Sequence, residues 1–269
     1  MMTAMKKPDW AKRIRRAADL AERYPSAAEV LTFYQHILEF QKTISGDISL
    51  RSLSSLDPGR AFREQLDVDA AARRLPDLLA LVGKKGPSKL AAEAGALRRA
   101  GSEEEEKLVR NFVQELEGET ELHTFFARVL LQPYAEYLAA APAAQLEGFR
   151  GSICPICQAR PQVAVLRPEG DGGKRFLGCS FCLTEWEFRR ILCPVCGEED
   201  YVKLPRYSAE DVPAVRVEAC DTCKYYLKSV DLTADGLAVP IVDEVATAPL
   251  DLWAVEHGYK KISPNIMGF

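Results

Sequence analysis

The residues best suited to chemistry in this chain are its eight cysteines, all of which lie between residues 154 and 223. They form four pairs with two residues between the members of each pair: Cys154/Cys157, Cys179/Cys182, Cys193/Cys196 and Cys220/Cys223. One tight turn at this spacing aims both sulfur atoms at a single point, and two such turns make a tetrahedral four-thiolate cage. Four pairs therefore predict two cages.

The gaps between the pairs indicate how the pairs combine. The first two pairs are separated by 21 residues, the second and third by ten, and the last two by 23. Each long gap accommodates a hairpin that returns one turn beside the other, as in rubredoxin and zinc-ribbon sites. We therefore expect two cages, called site one (Cys154, Cys157, Cys179, Cys182) and site two (Cys193, Cys196, Cys220, Cys223). Spacing leaves open an interleaved pairing, first with third and second with fourth.

Three other interpretations of the cysteines fit less well. Disulfide scaffolds belong to small secreted chains, whereas this one has 269 residues. A thioredoxin-like motif needs one pair and not four, and ferredoxin clusters need three cysteines close together. Mononuclear metal sites are favoured, and the metal is iron or zinc because both accept tetrahedral sulfur.

Composition is that of an ordinary soluble globular protein, with 47% hydrophobic and 28% charged residues. The sequence has no apolar stretch near the ~18 residues of a membrane span. The amino-terminal segment carries lysines and arginines without an apolar run behind them, so we expect no secretory signal and a cytoplasmic location.

Charge differs between the two halves. Residues 151–269 hold 13 Lys/Arg and 17 Asp/Glu, and the first 150 residues are balanced. Thiolates that ligate two divalent metals would add about four negative charges to this acidic half. Nucleic-acid binding needs a clustered basic surface, so we expect no nucleic-acid partner.

The first half of the chain is predicted to be helical. Apolar residues recur at helical spacing from Trp10 to Ala21, from Val30 to Ile44, and again from about residue 69 to Leu138. The polar stretch from Ser45 to Pro58 contains Gly46 and predicts a loop. We expect an all-α domain over residues 1–145.

The second half is predicted to form hairpins around the cysteines. A glycine-rich turn at residues 170–173 joins strand-like arms over 163–166 and 175–177, and arms over 201–206 and 214–218 serve site two. The predicted fold is multidomain α+β: the helical domain, then two tandem rubredoxin-like or zinc-ribbon modules over 151–190 and 191–232. A carboxy-terminal tail with a short helix follows over 233–269.

These motifs resemble the family of the formate dehydrogenase accessory protein FdhE. The matching segments are Gly151-Ser-Ile-Cys154-Pro-Ile-Cys157, Cys179-Ser-Phe-Cys182-Leu-Thr-Glu185-Trp186, Cys193-Pro-Val-Cys196-Gly197 and Glu218-Ala-Cys220-Asp-Thr-Cys223-Lys-Tyr-Tyr226-Leu-Lys228. The segment from Asp231 to Asp251 resembles the family's closing motif. One departure is Gln158, which stands where the family usually has glycine.

The resemblance implies a cytoplasmic assembly factor that binds the catalytic subunit of respiratory formate dehydrogenase before export and is not itself an enzyme. It also implies iron in rubredoxin-like modules, with either a structural or a redox role. Polar residues within the family-like motifs are candidates for partner contact or, equally, for turns and caps; they are Glu185, Asp243, Glu244, Thr247 and Asp251.

Two other function classes remain as alternatives. A rubredoxin-type iron electron carrier would leave the large helical domain unexplained, and a zinc-ribbon nucleic-acid protein would need a basic face. His36, His123 and His257 are scattered without a partner at ligand spacing, so we expect them to be core or surface residues.

Overall fold

The structure is a computed structural model that describes residues 8–50, 57, 60–115, 120–140, 146–170 and 172–269. The backbone groups into two compact units. The first contains Phe33–Pro142, and the second combines Ala11–Thr32 with Ala143–Met267. Residues 11–32 were expected within a helical domain over 1–145, but they cluster with the cysteine-bearing half.

Helices build the first unit, as the periodicity predicts. In helix α4 (Leu75–Lys85) the buried side chains of Leu75, Leu78, Leu79 and Val82 follow the i, i+3, i+4, i+7 spacing of one helix face. The helices that contribute to this unit are α2 (Ala28–Leu50), α3 (Val68–Ala72), α4 (Leu75–Lys85), α5 (Ser88–Ala100), α6 (Ser102–Glu115) and α7 (Glu121–Ala139). Because α2 begins at Ala28, its first turn belongs to the second unit.

A buried glutamine compensates for a proline inside α7. Pro133 has no backbone N–H, so the carbonyl of Val129, four residues earlier, lacks its usual helical donor. The Gln41 side chain is 1% exposed, and its Nε2 donates to this carbonyl at 3.1 Å. The helix therefore remains one element through Pro133, with the freed acceptor satisfied from α2.

The predicted loop at 45–58 is wrong for its first six residues, because α2 continues to Leu50. Ile44 and Ile48 are both buried and lie four residues apart, so the apolar face extends past Gly46. Burying an isoleucine side chain contributes more than the roughly 1 kcal/mol that glycine costs within a helix. Most of the remaining predicted loop lies outside the described residues.

A single mixed sheet forms the centre of the second unit. The strands are β1 (Pro161–Glu169), β2 (Gly172–Cys179), β3 (Glu185–Glu187), β4 (Arg206–Ser208), β5 (Val215–Ala219), β6 (Tyr225–Asp231) and β7 (Lys260–Lys261). Within the described residues their order in the sheet is β3-β2-β1-β6-β5-β4, and β7 also pairs with β6. The predicted hairpin that joins residues 163–166 and 175–177 is confirmed by the pairing of β1 with β2. In the arm predicted at 201–206, residues 201–203 instead form a 3-10 turn.

Parallel pairing between β1 and β6 fuses the two cysteine modules. Val163 pairs with Lys228 and Leu166 with Asp231, while the first residues of β6 pair with β7. The antiparallel ribbon β1-β2-β3 carries site one, and β4-β5-β6 carries site two. The modules that we expected in tandem are therefore halves of one sheet.

Two helices cover this sheet, and only the second was expected. They are α8 (Pro240–Ala246), which contacts β1 and β6, and α9 (Ala248–Glu256), which contacts β5 and β7. Val163, Val165, Val215 and Val230 form a buried cluster with Ala238 at the start of this region. Burial of these branched side chains provides the hydrophobic contribution that holds the layers together.

Helix α1 (Trp10–Arg23) is attached to the carboxy-terminal residues through Arg16. The Arg16 guanidinium donates to both carboxylate oxygens of Asp243, with Nε at 3.2 and 3.0 Å, and to Asp235 at 2.6 Å. The Arg16 and Asp243 side chains are only 9% and 5% exposed. The contact joins residues 227 positions apart in sequence and explains why α1 groups with the second unit.

We predict that Arg16→Met lowers the free energy of unfolding of the second unit by about 3–5 kcal/mol, because it leaves the buried Asp243 carboxylate without its cation. Urea unfolding followed by tryptophan fluorescence measures the loss. Arg15→Met is the matched control, since Arg15 is exposed on the same helix turn and its replacement should change stability by less than about 0.5 kcal/mol. Equal effects of the two variants would contradict the prediction.

Candidate metal centres

The structure brings the cysteines together in the groups that the gap lengths predict, and not in the interleaved pairing. The ligand atoms of site one lie within 4.8 Å of one another, and so do those of site two. Each group combines a turn that precedes a ribbon with a turn between two of its strands. The hairpins thus position the cages.

All four Cys-x-x-Cys turns share one backbone geometry. In the first, the N–H of Cys154 donates to the carbonyl of Ala159 at 2.9 Å, and the corresponding bonds at Cys179, Cys193 and Cys220 have the same length. The residue after the second cysteine of each pair has positive φ: Gln158 (63°), Leu183 (57°), Gly197 (77°) and Lys224 (61°). Gln158 therefore adopts the conformation that glycine adopts in the third turn, at some steric cost.

The cage dimensions fit a tetrahedral metal ion. Between the two turns of site one, the Sγ atoms of Cys154 and Cys182 lie 3.6 Å apart and those of Cys157 and Cys179 lie 3.3 Å apart. In site two the corresponding distances are 3.7 Å for Cys193 and Cys223 and 3.6 Å for Cys196 and Cys220. A metal–sulfur distance of about 2.3 Å in a regular tetrahedron requires sulfur atoms about 3.8 Å apart. Both groups can thus hold an ion with little movement, and the four-sulfur donor set suits either zinc or iron.

Protonation of the thiols is coupled to metal binding. Burial raises the pKa of the Cys179 and Cys182 thiols well above the usual range. Hydrogen bonds from Cys157, Cys179 and Cys182 lower the pKa of Cys154, so one thiolate is favoured in this group. A ligating thiol must lose its proton, and metal binding at site one consequently releases protons and weakens as the pH falls.

Aromatic residues next to the cages have structural partners. Trp186 is 1% exposed, and its Nε1 donates to the carbonyl of Gly151 at 2.8 Å, which ties β3 to the segment before the first turn of site one. Tyr226, three residues after the last cysteine, is also 1% exposed and donates to Asp251 at 2.9 Å. Packing and hydrogen bonding account for both side chains.

Four of the five predicted partner contacts are buried inside the second unit. Asp243, Glu244, Thr247 and Asp251 are at most 4% exposed. In this conformation the four side chains lie inside the unit and make internal contacts, and their contact with a partner stays a prediction. Glu185 is partly exposed and accepts from Arg167 at 2.9 and 3.0 Å, and its contact with a partner stays a prediction.

The buried carboxylates form an ionic network with two lysines. The Lys228 ammonium is 0% exposed; it lies 2.5 Å from Asp251 Oδ2 and 3.2 Å from Glu244 Oε1. Lys261 forms ion pairs with Glu244 and with Asp251 Oδ1, the latter at 2.9 Å. With two positive and two negative groups the network is balanced, and it joins β6 and β7 to the covering helices.

Sequence reasoning missed the cations of these internal networks. The sequence shows Arg16 only as one of the basic residues of the amino-terminal segment, and Lys228 only as part of a family-like motif. The sequence signal at Lys228 is its position within the strand-like run from Tyr225 to Val230, which the structure buries continuously from Tyr226 to Val230. A lysine within such a strand needs buried carboxylates, and the carboxylates of the closing motif are the nearest candidates in sequence.

The histidines lie apart from the cysteine groups. His123 Nε2 is 2.9 Å from Glu93, His36 Nδ1 is 3.7 Å from Glu39, and the His257 ring stacks on Trp253. These contacts agree with the expectation of ordinary core or surface residues.

Across the described ranges, no helix has the length and apolar character needed to cross a membrane.

Two four-cysteine cages on the ribbons of one sheet, in a chain that also contains a helical unit, define a protein with tandem zinc-ribbon sites. Family models described as "FdhE, central domain" and "FdhE, C-terminal domain" match residues 153–190 and 191–267. A protein named as an FdhE homolog from Aquifex aeolicus (strain VF5) is 30% identical over 261 residues, which cover 93% of this chain and 92% of the relative. The chain belongs to the FdhE family.

Further relatives extend the similarity over nearly the whole chain. An FdhE homolog from Pseudomonas aeruginosa is 28% identical over 278 residues, covering 96% of this chain and 89% of the relative. The crystal structure of the FdhE protein from Pseudomonas aeruginosa matches with a TM-score of 0.72 and 26% sequence identity, covering 97% of each chain. The similarity thus includes the helical half, which contains none of the motifs quoted above for the family resemblance.

We predict that Gln158→Gly raises the unfolding free energy of the metal-loaded protein by about 0.5–1 kcal/mol, because glycine adopts positive φ without a steric penalty. Gln158 is exposed, so little packing is lost. Chemical denaturation with metal held in excess measures the change. The reverse change at the matching position, Gly197→Ala, meets open space and should lower stability by about 1–2 kcal/mol through its backbone alone. A loss of stability in Gln158→Gly would refute the strain argument.

We predict that Glu244→Gln destabilises the second unit by about 3–5 kcal/mol at pH 7, since it leaves Lys228 and Lys261 with one carboxylate between them. Burial raises the pKa of Glu244, but the charges of the two lysines outweigh burial and leave it below its usual value. Ionised Glu244 therefore stabilises the fold above about pH 4.3, and this contribution disappears as the pH falls through the lower folded-state pKa.

Urea unfolding of both proteins between pH 3 and pH 7 tests this pH dependence. The stability difference between wild type and Glu244→Gln should be greatest at neutral pH and should narrow as acid protonates Glu244 in the folded wild type. A difference that widens toward low pH would show that the folded-state pKa is raised and would contradict the assignment.

Proposed function

We propose that this protein is a cytoplasmic accessory factor for the maturation of respiratory formate dehydrogenase. In this proposal it binds the catalytic subunit of that enzyme and has no turnover of its own. Each four-cysteine cage holds one metal ion, iron by analogy with the family or otherwise zinc.

The observation that carries the proposal is the pair of four-cysteine cages built into one sheet, in a chain whose family membership extends over nearly its whole length. Assembly factors act by binding and need stable surfaces. Asp243, Glu244 and Asp251, the buried carboxylates that the sequence indicated as candidates, form internal ion pairs with Arg16 and Lys228. Such pairs support a binding scaffold better than an acid–base catalyst.

The eight cysteines would hold the metal ions, and the ribbons hold the cysteines. When bound, iron would supply a one-electron couple, whereas zinc would supply a structural crosslink. The chain's own contribution is to fix four sulfur atoms around each centre and to orient them through the backbone hydrogen bonds of the turns.

Deletion of the gene in its own host tests the proposal. We expect the catalytic subunit of formate dehydrogenase to accumulate without activity, and expression of the full-length protein to restore activity. The same tagged protein, isolated anaerobically, should recover the catalytic subunit, and elemental analysis of the isolated protein identifies its metal.

A matched pair of variants sharpens this experiment. Cys154→Ser removes one buried ligand of site one, whereas Ser152→Ala changes an exposed neighbour in the same segment. We expect Ser152→Ala to complement the deletion and Cys154→Ser to fail. Full formate dehydrogenase activity in the deletion strain, together with absence of the catalytic subunit from the isolated complex, would disprove the accessory role.

A rubredoxin-type electron carrier is the second candidate, and the exposure of Cys196 in site two favours it. An electron carrier requires iron that is reduced and reoxidised reversibly in the purified protein. Voltammetry of the iron-loaded protein and the gene deletion together decide between the two functions. If the protein is an electron carrier, its iron has a reversible couple and deletion of its gene leaves the assembly of formate dehydrogenase intact.

A further inference from the structure

The two cages differ in their access to solvent. In site one Cys154, Cys157, Cys179 and Cys182 are at most 2% exposed. In site two Cys193 and Cys220 are 5% and 2% exposed, but Cys223 is partly exposed and Cys196 is exposed. Site two therefore has a buried side and an open side, whereas site one is closed on all sides.

The difference arises from the residues between the cysteines, although the first turns of both sites have nearly the same sequence. In Cys154-Pro-Ile-Cys157 the isoleucine, Ile156, is 8% exposed, whereas in Cys193-Pro-Val-Cys196 the valine, Val195, is 40% exposed. In the second turns Phe181 is 3% exposed and Thr222 is exposed. The apolar residue within each turn of site one is thus buried, whereas the residue at the equivalent position of site two is exposed.

Solvent access controls how easily a ligand is exchanged at a metal site. A thiolate that leaves a metal must be stabilised by water or a proton, and an incoming ligand must reach the ion. At site one both steps require the packed side chains to open first, which adds the free energy of local opening to the barrier. At site two the exposed Cys196 is already in contact with solvent, so a leaving thiolate can be solvated and an incoming ligand can enter without local opening.

The geometry points to a division of labour, in which site two exchanges its metal ion and site one retains its ion as a structural crosslink. Cys196 is the ligand that leaves first. Its sulfur–metal bond breaks while a bond forms to an incoming thiolate or chelator, and the released thiolate takes up a proton from water. No electron is transferred. This inference rests on the proposed metal loading of both cages.

Chelator competition tests the inference in the full-length protein loaded with two equivalents of zinc. We expect 4-(2-pyridylazo)resorcinol to remove one equivalent at least about tenfold faster than the other. N-ethylmaleimide labelling during the fast phase, read by peptide mass spectrometry, should modify Cys196 first and the site-one cysteines only in the slow phase.

Two matched variants assign the phases without removing a ligand. Ile156→Ala uncovers site one and should accelerate the slow phase, with the fast phase unchanged. Val195→Ala alters the equivalent residue of site two, which is already exposed, and should leave both phases within about twofold of wild type.

The outcomes separate this inference from the proposal on which it rests. Loading of fewer than two ions would overturn both. Loading of two ions that leave in a single phase, or labelling of site one before Cys196, would overturn the division of labour and leave the metal-binding proposal intact. Acceleration of the fast phase in Ile156→Ala would show that site one is the labile site and would also overturn it.

Discussion

The demand of a tetrahedral thiolate cage organises the second unit. Four sulfur atoms must meet within a few ångströms, and two residues between cysteines allow this only when the backbone turns back sharply after each pair. Every turn meets the demand with the same closing hydrogen bond and the same left-handed residue, whether that residue is glycine, glutamine, leucine or lysine. In each site the antiparallel strands of the ribbon bring the second Cys-x-x-Cys turn beside the first. The helices α8 and α9 pack on the surface that these strands form.

Features encoded locally could be predicted from the sequence, and features that depend on distant partners could not. The gap lengths identified both cages, the glycine-rich turn identified the β1–β2 hairpin, and helical periodicity identified the first unit. Two features that were missed, the parallel pairing of β1 with β6 and the attachment of α1 through Arg16, join segments far apart in sequence. Neither spacing nor propensity encodes such a pairing. The short helix α8 was also missed, although Pro240 stands in its first turn. The continuation of α2 past Gly46 was missed because burial of Ile48 outweighs the local preference of glycine.

The buried network of Lys228, Glu244, Asp251 and Lys261 explains why the closing motif is rich in charge without presenting that charge outward. Desolvation of four ions opposes folding, and their mutual attraction offsets this only in the correct arrangement. Such a network contributes little net stability compared with a hydrophobic core, but it penalises any other placement of α8 and α9. We interpret it as a device that fixes the register of the helices on the sheet. Tyr226, three residues after the last cysteine of site two, donates a hydrogen bond to Asp251 of this network. The placement of the helices is therefore connected to the position of site two.

The shape of the sheet also bears on solubility. Fusion of two ribbons produces a broad sheet, and an uncovered sheet edge is a template for pairing with another chain. Both outer strands, β3 and β4, are only three residues long. Glu185 and Glu187 of β3 are bound by Arg167, Lys174 and Arg150, so a second strand would have to displace ion pairs to add there. The architecture that joins the two cages thus limits edge-to-edge aggregation of the protein.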